Sequence, residues 1–254
     1  LQKDSLSETV TSDQDGTDAF SAYIPIGYIY YISEISAHDK YYMTDENFEF
    51  TYSYKDDSTY EYVFSHEFSN EEVRAEIHIN KIDKETHDFI SQGDATLVGA
   101  EYGLFAAEDI EHPNKKSDPV YQKGDLVAKG KIGEDGKLDF TDLYLGKYIV
   151  KELTPSEGYL LDPTEYPVDA SYEGQEVKIV HRDVTVHETV KKQPFQLIKV
   201  GSDGEQTEAD LLESAGFKIY LISSLKGVQD GTIQPDENGN YSPEQFRGYD
   251  FTEE

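Results

Sequence analysis

The 254-residue chain contains no cysteine, no tryptophan and a single methionine. Without thiols, disulfide staples, thiolate nucleophiles, cysteine-ligated zinc and iron–sulfur centres are excluded together. Basic residues are scarce: 22 Lys and Arg against 52 Asp and Glu leave a formal net charge of −30. Such a charge repels phosphate backbones and anionic lipid headgroups, so neither nucleic acid nor a membrane surface is expected as a partner. No apolar run reaches the roughly 18 residues that a spanning helix needs. The opening Leu1-Gln2-Lys3-Asp4-Ser5 also lacks the basic-then-apolar order of a secretion signal. The chain is therefore expected to be either intracellular or an internal piece of a larger exported protein.

What is present is material for β-structure. Aliphatic and aromatic residues, including 20 Tyr and 12 Phe, supply sizeable cores, and turn signals such as Asp135-Gly136, Gly146, Gly158 and Asn238-Gly239 come at short intervals. The segments between are rich in Tyr, Val, Ile, Phe and Thr, which favours short antiparallel strands. Alternation places Ile77, Ile79 and Lys81 on one face. Strands are expected near 77–83, 100–106, 138–141, 146–153 and 177–189, with one helix around Glu208–Ser214. The aromatic series Phe48, Phe50, Tyr52 and Tyr54 shares a strand face, which suits core packing better than a sugar-stacking surface.

The chain also repeats itself. Tyr30-Tyr31-Ile32-Ser33-Glu34 recurs as Tyr148-Ile149-Val150-Lys151-Glu152, an offset of 118 from Glu34 to Glu152. The same offset of 118 carries Lys81, in Ile79-Asn80-Lys81-Ile82, onto Lys199, in Leu197-Ile198-Lys199-Val200. Two anchors agreeing on one offset define a repeat. The expected organisation is the second half of a unit over 1–72, a complete unit over 73–191 and the first half of a further unit over 192–254.

The complete unit runs from Lys81-Ile82-Asp83-Lys84 through Leu97-Val98-Gly99-Ala100-Glu101-Tyr102-Gly103-Leu104-Phe105 and Asp135-Gly136-Lys137-Leu138-Asp139-Phe140. It ends with Leu145-Gly146-Lys147-Tyr148-Ile149-Val150-Lys151-Glu152 and Pro155-Ser156-Glu157-Gly158-Tyr159. This ordered set resembles the Cna B-type (SpaA-like, prealbumin-like) domains of Gram-positive pilins and surface adhesins. The resemblance implies an all-β architecture of tandem inverse immunoglobulin-like sandwich modules, one complete and two partial. It also implies an extracellular, cell wall-anchored setting, a structural rather than enzymatic role and no cofactor. Neighbouring modules of the same chain are the expected partners, with a host matrix protein or glycan engaged through other domains. A module that itself recognises such a ligand is the alternative.

The family's self-formed Lys to Asn or Asp isopeptide bond implies a trio of lysine, catalytic glutamate and acceptor. By that resemblance Lys81 is the lysine, Lys199 its counterpart in the third copy, and Glu152 and Glu34 are the glutamates. The acceptor in the first copy is Asn70, 36 residues beyond Glu34 and 11 before Lys81. The same two spacings select Glu188 in the complete unit, 36 beyond Glu152 and 11 before Lys199. Asp183 is the chemically better acceptor, but its strand parity is opposite to that of Glu188, Val184 and Val186, so Glu188 ranks above it.

Such chemistry needs a lysine held neutral by an apolar surround and a buried glutamate kept protonated to polarise the acceptor carbonyl. Because Glu188 departs from the family acceptor, a buried charge cluster of Lys81, Glu152 and Glu188, with one carboxyl protonated, is the first expectation there, ahead of a covalent bond. Elsewhere the chain lacks catalytic constellations. His66-Glu67 and His187-Glu188 miss the second histidine of a zinc helix motif, and no metal site is expected.

Overall fold

The computed structural model describes residues 8–21, 23–58, 64–115, 117–201 and 214–247. The chain divides into two compact units, Leu1–Lys192 and Gln193–Glu254. The first is built from strands. β1 (Ile29–Ser33) and β2 (Asn47–Thr51) form an antiparallel hairpin. Seven further strands follow: β3 (Arg74–Asp83), β4 (Glu101–Ala106), β5 (Leu126–Lys131), β6 (Lys137–Leu143), β7 (Gly146–Thr154), β8 (Tyr166–Ala170) and β9 (Ile179–Glu188).

These seven strands make two sheets, one in the order β6-β3-β9 and the other in the order β5-β4-β7-β8. The sheets close over a shared core. In β3, strict alternation buries Ala75, Ile77, Ile79, Lys81 and Asp83, while Glu76, His78 and Asn80 point outward. In β9 the same rule buries Val180, Val184, Val186 and Glu188. The facing sheet supplies Tyr102, Leu104 and Ala106 from β4, Tyr148 and Val150 from β7, and Val168 and Ala170 from β8. The five strands expected from sequence lie at these places, and β5 and β8 are additional.

The pairing of β3 with β9 is parallel and unbroken, from Arg74 opposite Ile179 to Asp83 opposite Glu188. Parallel neighbours cannot be joined by a tight turn. Here the whole intervening domain makes the connection, so the first and last strands lie side by side.

The hairpin β1–β2 repeats the geometry of β7–β8. Ile29 pairs with Thr51 in one and Lys147 with Asp169 in the other, the same register after a shift of 118. The bridges Tyr41–Glu72 and Tyr159–Val190 stand in that relation too. So do the bonds from Tyr42 N to Glu71 O (2.8 Å) and from Leu160 N to Thr189 O (2.9 Å).

In the second unit the described residues hold two short 3₁₀ turns, Ile222–Ser224 and Pro243–Phe246, and one helical turn, α1 (Lys226–Gln229). Of the helix expected at Glu208–Ser214, all but Ser214 lies outside the described residues. No helix among the described residues is long and apolar enough to cross a membrane.

Candidate functional site: a buried lysine between two glutamates

At one end of the sandwich, three ionisable side chains meet with no exposure to solvent. Lys81 Nζ lies 3.7 Å from Glu152 Oε1 and 3.6 Å from Glu188 Oε1, and all three side chains are 0% exposed. Lys81 comes from the inner face of β3, Glu152 from that of β7 and Glu188 from the last position of β9. The cluster therefore spans both sheets.

The surroundings complete it. The ammonium donates to Ser156 Oγ at 3.1 Å and lies 5.9 Å from the Tyr102 ring centre and 5.8 Å from that of Tyr159. Tyr102 donates its hydroxyl to Glu188 Oε1 at 2.5 Å, and Glu152 Oε2 accepts from the Asp162 backbone N at 2.7 Å. Among the described residues, Glu152 Oε1 and Glu188 Oε2 have no hydrogen-bond partner. Beneath the cluster Asp83 is tied by Tyr159 Oη at 2.8 Å, by Gln92, and by the amides of Glu85 and Thr86. This fixes the strand end that carries Lys81.

Two carboxyls share one ammonium, and burial resists the resulting net negative charge. Desolvation pushes Glu152 up to about 7, reinforced by the nearby Glu188 and opposed by the Asp162 amide and Lys81. Desolvation likewise lowers Lys81, against the pull of both glutamates. The Tyr102 phenol is driven well above its ordinary range by burial and by Glu188, so it remains a donor. The arrangement that balances charge is a protonated Glu152 beside a Lys81–Glu188 ion pair.

Asp183 lies elsewhere. It is exposed on the outer face of β9, opposite His78, and takes no part in the cluster. In the first repeat copy, Glu34 and Asn70 are half-buried and joined by a 2.7 Å hydrogen bond from Asn70 Nδ2 to Glu34 Oε2. Asn70 Nδ2 also donates to Tyr42 O at 3.0 Å. Thr44 N donates to Glu34 Oε2 at 2.8 Å, the counterpart of Asp162 on Glu152. Lys199 is exposed in the second unit, and its ammonium lies 3.4 Å from its neighbour's carbonyl, Val200 O.

Sequence reasoning did not single out Tyr102 or Ser156. Tyr102 was within reach, since it shares inward parity with Leu104 in β4. Ser156 was not, because its direction depends on the turn after β7.

The fold and the site define a two-sheet β-domain with a lysine and two glutamates buried between its sheets. Residues 75–185 match the family model of the SpaA prealbumin-like fold domain, and this central domain belongs to that family. No curated protein matches the chain. Among solved structures it is similar to the TIE protein of Bacillus anthracis, at 23% identity and a TM-score of 0.48 over 70% of this chain and 28% of that one. It is also similar to the group B streptococcus pilus 2b backbone protein, at 22% identity and a TM-score of 0.33, over 50% of this chain and 46% of that one. For the Corynebacterium diphtheriae major pilin SpaA the values are 16% and 0.32, over 46% and 30%. The chain thus spans less than half the length of each of these proteins.

Proposed function

We propose that this chain is a structural stalk segment of a Gram-positive cell-surface or pilus-like protein, built of tandem modules with boundaries near residues 72 and 191. The observation that carries this reading is the parallel β3–β9 ladder. The central domain is entered at Arg74 and left at Glu188, at opposite ends of two paired ten-residue strands. Tension applied through the chain loads that ladder in shear, so its hydrogen bonds resist together rather than opening one at a time. Lys81 and Glu188 join the same two strands at the exit end, and Glu152 ties them to the opposite sheet. The SpaA family match and the motif resemblance to pilins and surface adhesins agree with an exposed, load-bearing setting.

In the central module the cluster acts as an ionic clamp. A bond from Lys81 Nζ to Glu188 Cδ would expel one water; with the clamp ionic, the intact mass is expected to equal the sequence mass. Loss of one water would replace the ionic clamp with an amide.

The test of the stalk reading is single-molecule extension of the whole chain held at its two ends. The central domain is expected to give the highest-force event, weakened in Lys81→Met. A central domain that opens at the lowest force, with no change in Lys81→Met, would overturn the reading.

A further inference from the structure

On the outer face of the β6-β3-β9 sheet, away from the buried cluster, a second group of side chains converges. Glu76 and His78 project from alternate outward positions of β3, and His181 projects from β9 directly opposite Glu76. His78 Nε2 lies 3.3 Å from His181 Nδ1. Glu76 Oε2 lies 3.3 Å from His181 Nδ1 and 3.8 Å from His78 Nε2. Behind them Asp139, paired with His78 across β6, stands with Oδ1 2.8 Å from His78 Nδ1.

Proton bookkeeping shows what this arrangement can bind. An ionised carboxylate only accepts, so His78 Nδ1 carries a proton and donates it to Asp139, which turns the lone pair of a neutral His78 outward at Nε2. That lone pair faces another imidazole nitrogen and a carboxylate oxygen. With His181 in its Nε2–H tautomer its Nδ1 lone pair joins the other two, and three electron-donating atoms converge on one point where a cation can sit. The separations identify its class. Ligand bonds of about 2.0–2.1 Å in tetrahedral geometry place donor atoms about 3.3–3.4 Å apart, which two of the three observed separations meet while the third is slightly wider.

We propose that Glu76, His78 and His181 bind a zinc-class divalent transition metal, with Asp139 as a positioning residue that holds the His78 ring. A carboxylate behind a ligating histidine is the usual device for fixing its tautomer and orientation. Two imidazoles with one carboxylate suit zinc or cobalt rather than calcium or magnesium, which prefer all-oxygen shells. The solvent side of the ion is left open to water or a further donor. The net charge of −30 concentrates cations at the surface without selecting among them. The metal joins the first and last strands of the domain from outside, on the ladder that Lys81 and Glu188 join from inside. This site does not depend on the stalk reading.

The test is calorimetric titration of the tag-free, chelator-stripped chain with zinc chloride, with cobalt chloride as an optical probe. One saturable zinc equivalent is expected, together with visible cobalt bands of tetrahedral intensity. His78→Ala and His181→Ala should abolish both, and Asp139→Asn should weaken zinc by about 10–100-fold. All three positions are on the surface, and circular dichroism should report unchanged folds. No saturable binding, binding indifferent to both histidine variants, or calcium bound as tightly as zinc would overturn the site. Zinc affinity unchanged in Asp139→Asn would remove Asp139 from it.

Discussion

Lys81 shares its pocket with two carboxyls, and the imbalance makes the cluster's contribution to stability a function of pH. Glu152 titrates near 4.5 when unperturbed and is pushed up to about 7 in the folded protein. The folded state therefore binds its proton more tightly, and the associated stability is full below 4.5 and lost as pH rises through about 7. Lys81→Met removes the only cation. Above pH 7 it takes the counter-charge away from the buried carboxyls and is expected to cost about 3–5 kcal/mol. Below 4.5, the ordinary value of Glu152, the penalty should shrink because Glu152 holds its proton. Urea denaturation of wild type and variant on both sides of this window checks the claim. A loss that does not change with pH would assign the cost to packing alone.

Between β7 and β8 the chain turns through Ser156, Glu157 and Gly158, and this turn delivers Ser156 and Tyr159 to the cluster. Gly158 has φ +82°, and a Cβ there would lie 2.4 Å from Ala95 Cβ. Gly158→Ala thus combines left-handed backbone strain with a collision against a fixed neighbour, and should cost about 1–3 kcal/mol. The equivalent turn in the first copy places Lys40 at φ +69°, where a side chain already bears that strain. Lys40→Gly is expected to stabilise by up to about 1 kcal/mol. Opposite shifts in melting temperature for the two variants would confirm that the turns are equivalent. Shifts of the same sign would refute it.

At the scale of the whole first unit, the hairpin copy meets the central domain through Tyr42, which packs against the central core, and through polar groups. Met43 N donates to Gln175 O and Ala37 N to Gln175 Oε1, both at 2.9 Å. Lys178 pairs with Glu71, and Lys115 lies 3.1 Å from Asp39. Exposed pairs of this kind contribute roughly 0–1 kcal/mol each, whereas the central core is apolar and closed. If the units are modular, residues 73–191 excised alone should unfold in one cooperative transition. Its free energy should lie within about 2 kcal/mol of the corresponding transition in the intact chain. Failure of the fragment to fold would mean that the flanking copy completes its sheets.

Period-two alternation is a local property, so the inner faces of β3, β7 and β9 were legible from residue order alone. That is why parity could prefer Glu188 to Asp183, and why a shift of 118 could pair Glu34 with Glu152. Local pattern was silent on two strands. β5 and β8 are the outer strands of their sheet; β5 carries Gly130 and is buried irregularly, and β8, although its burial alternates, is only five residues long and carries Pro167. Sequence order also determined that one lysine and two glutamates face inward, but not which carboxyl holds the proton. That depends on Asp162 N, Tyr102 Oη and the surrounding low dielectric, all brought together across sheets. Likewise His78 and His181 stand 103 positions apart in the chain, and only the parallel β3–β9 pairing, a long-range contact that no local period encodes, makes them neighbours.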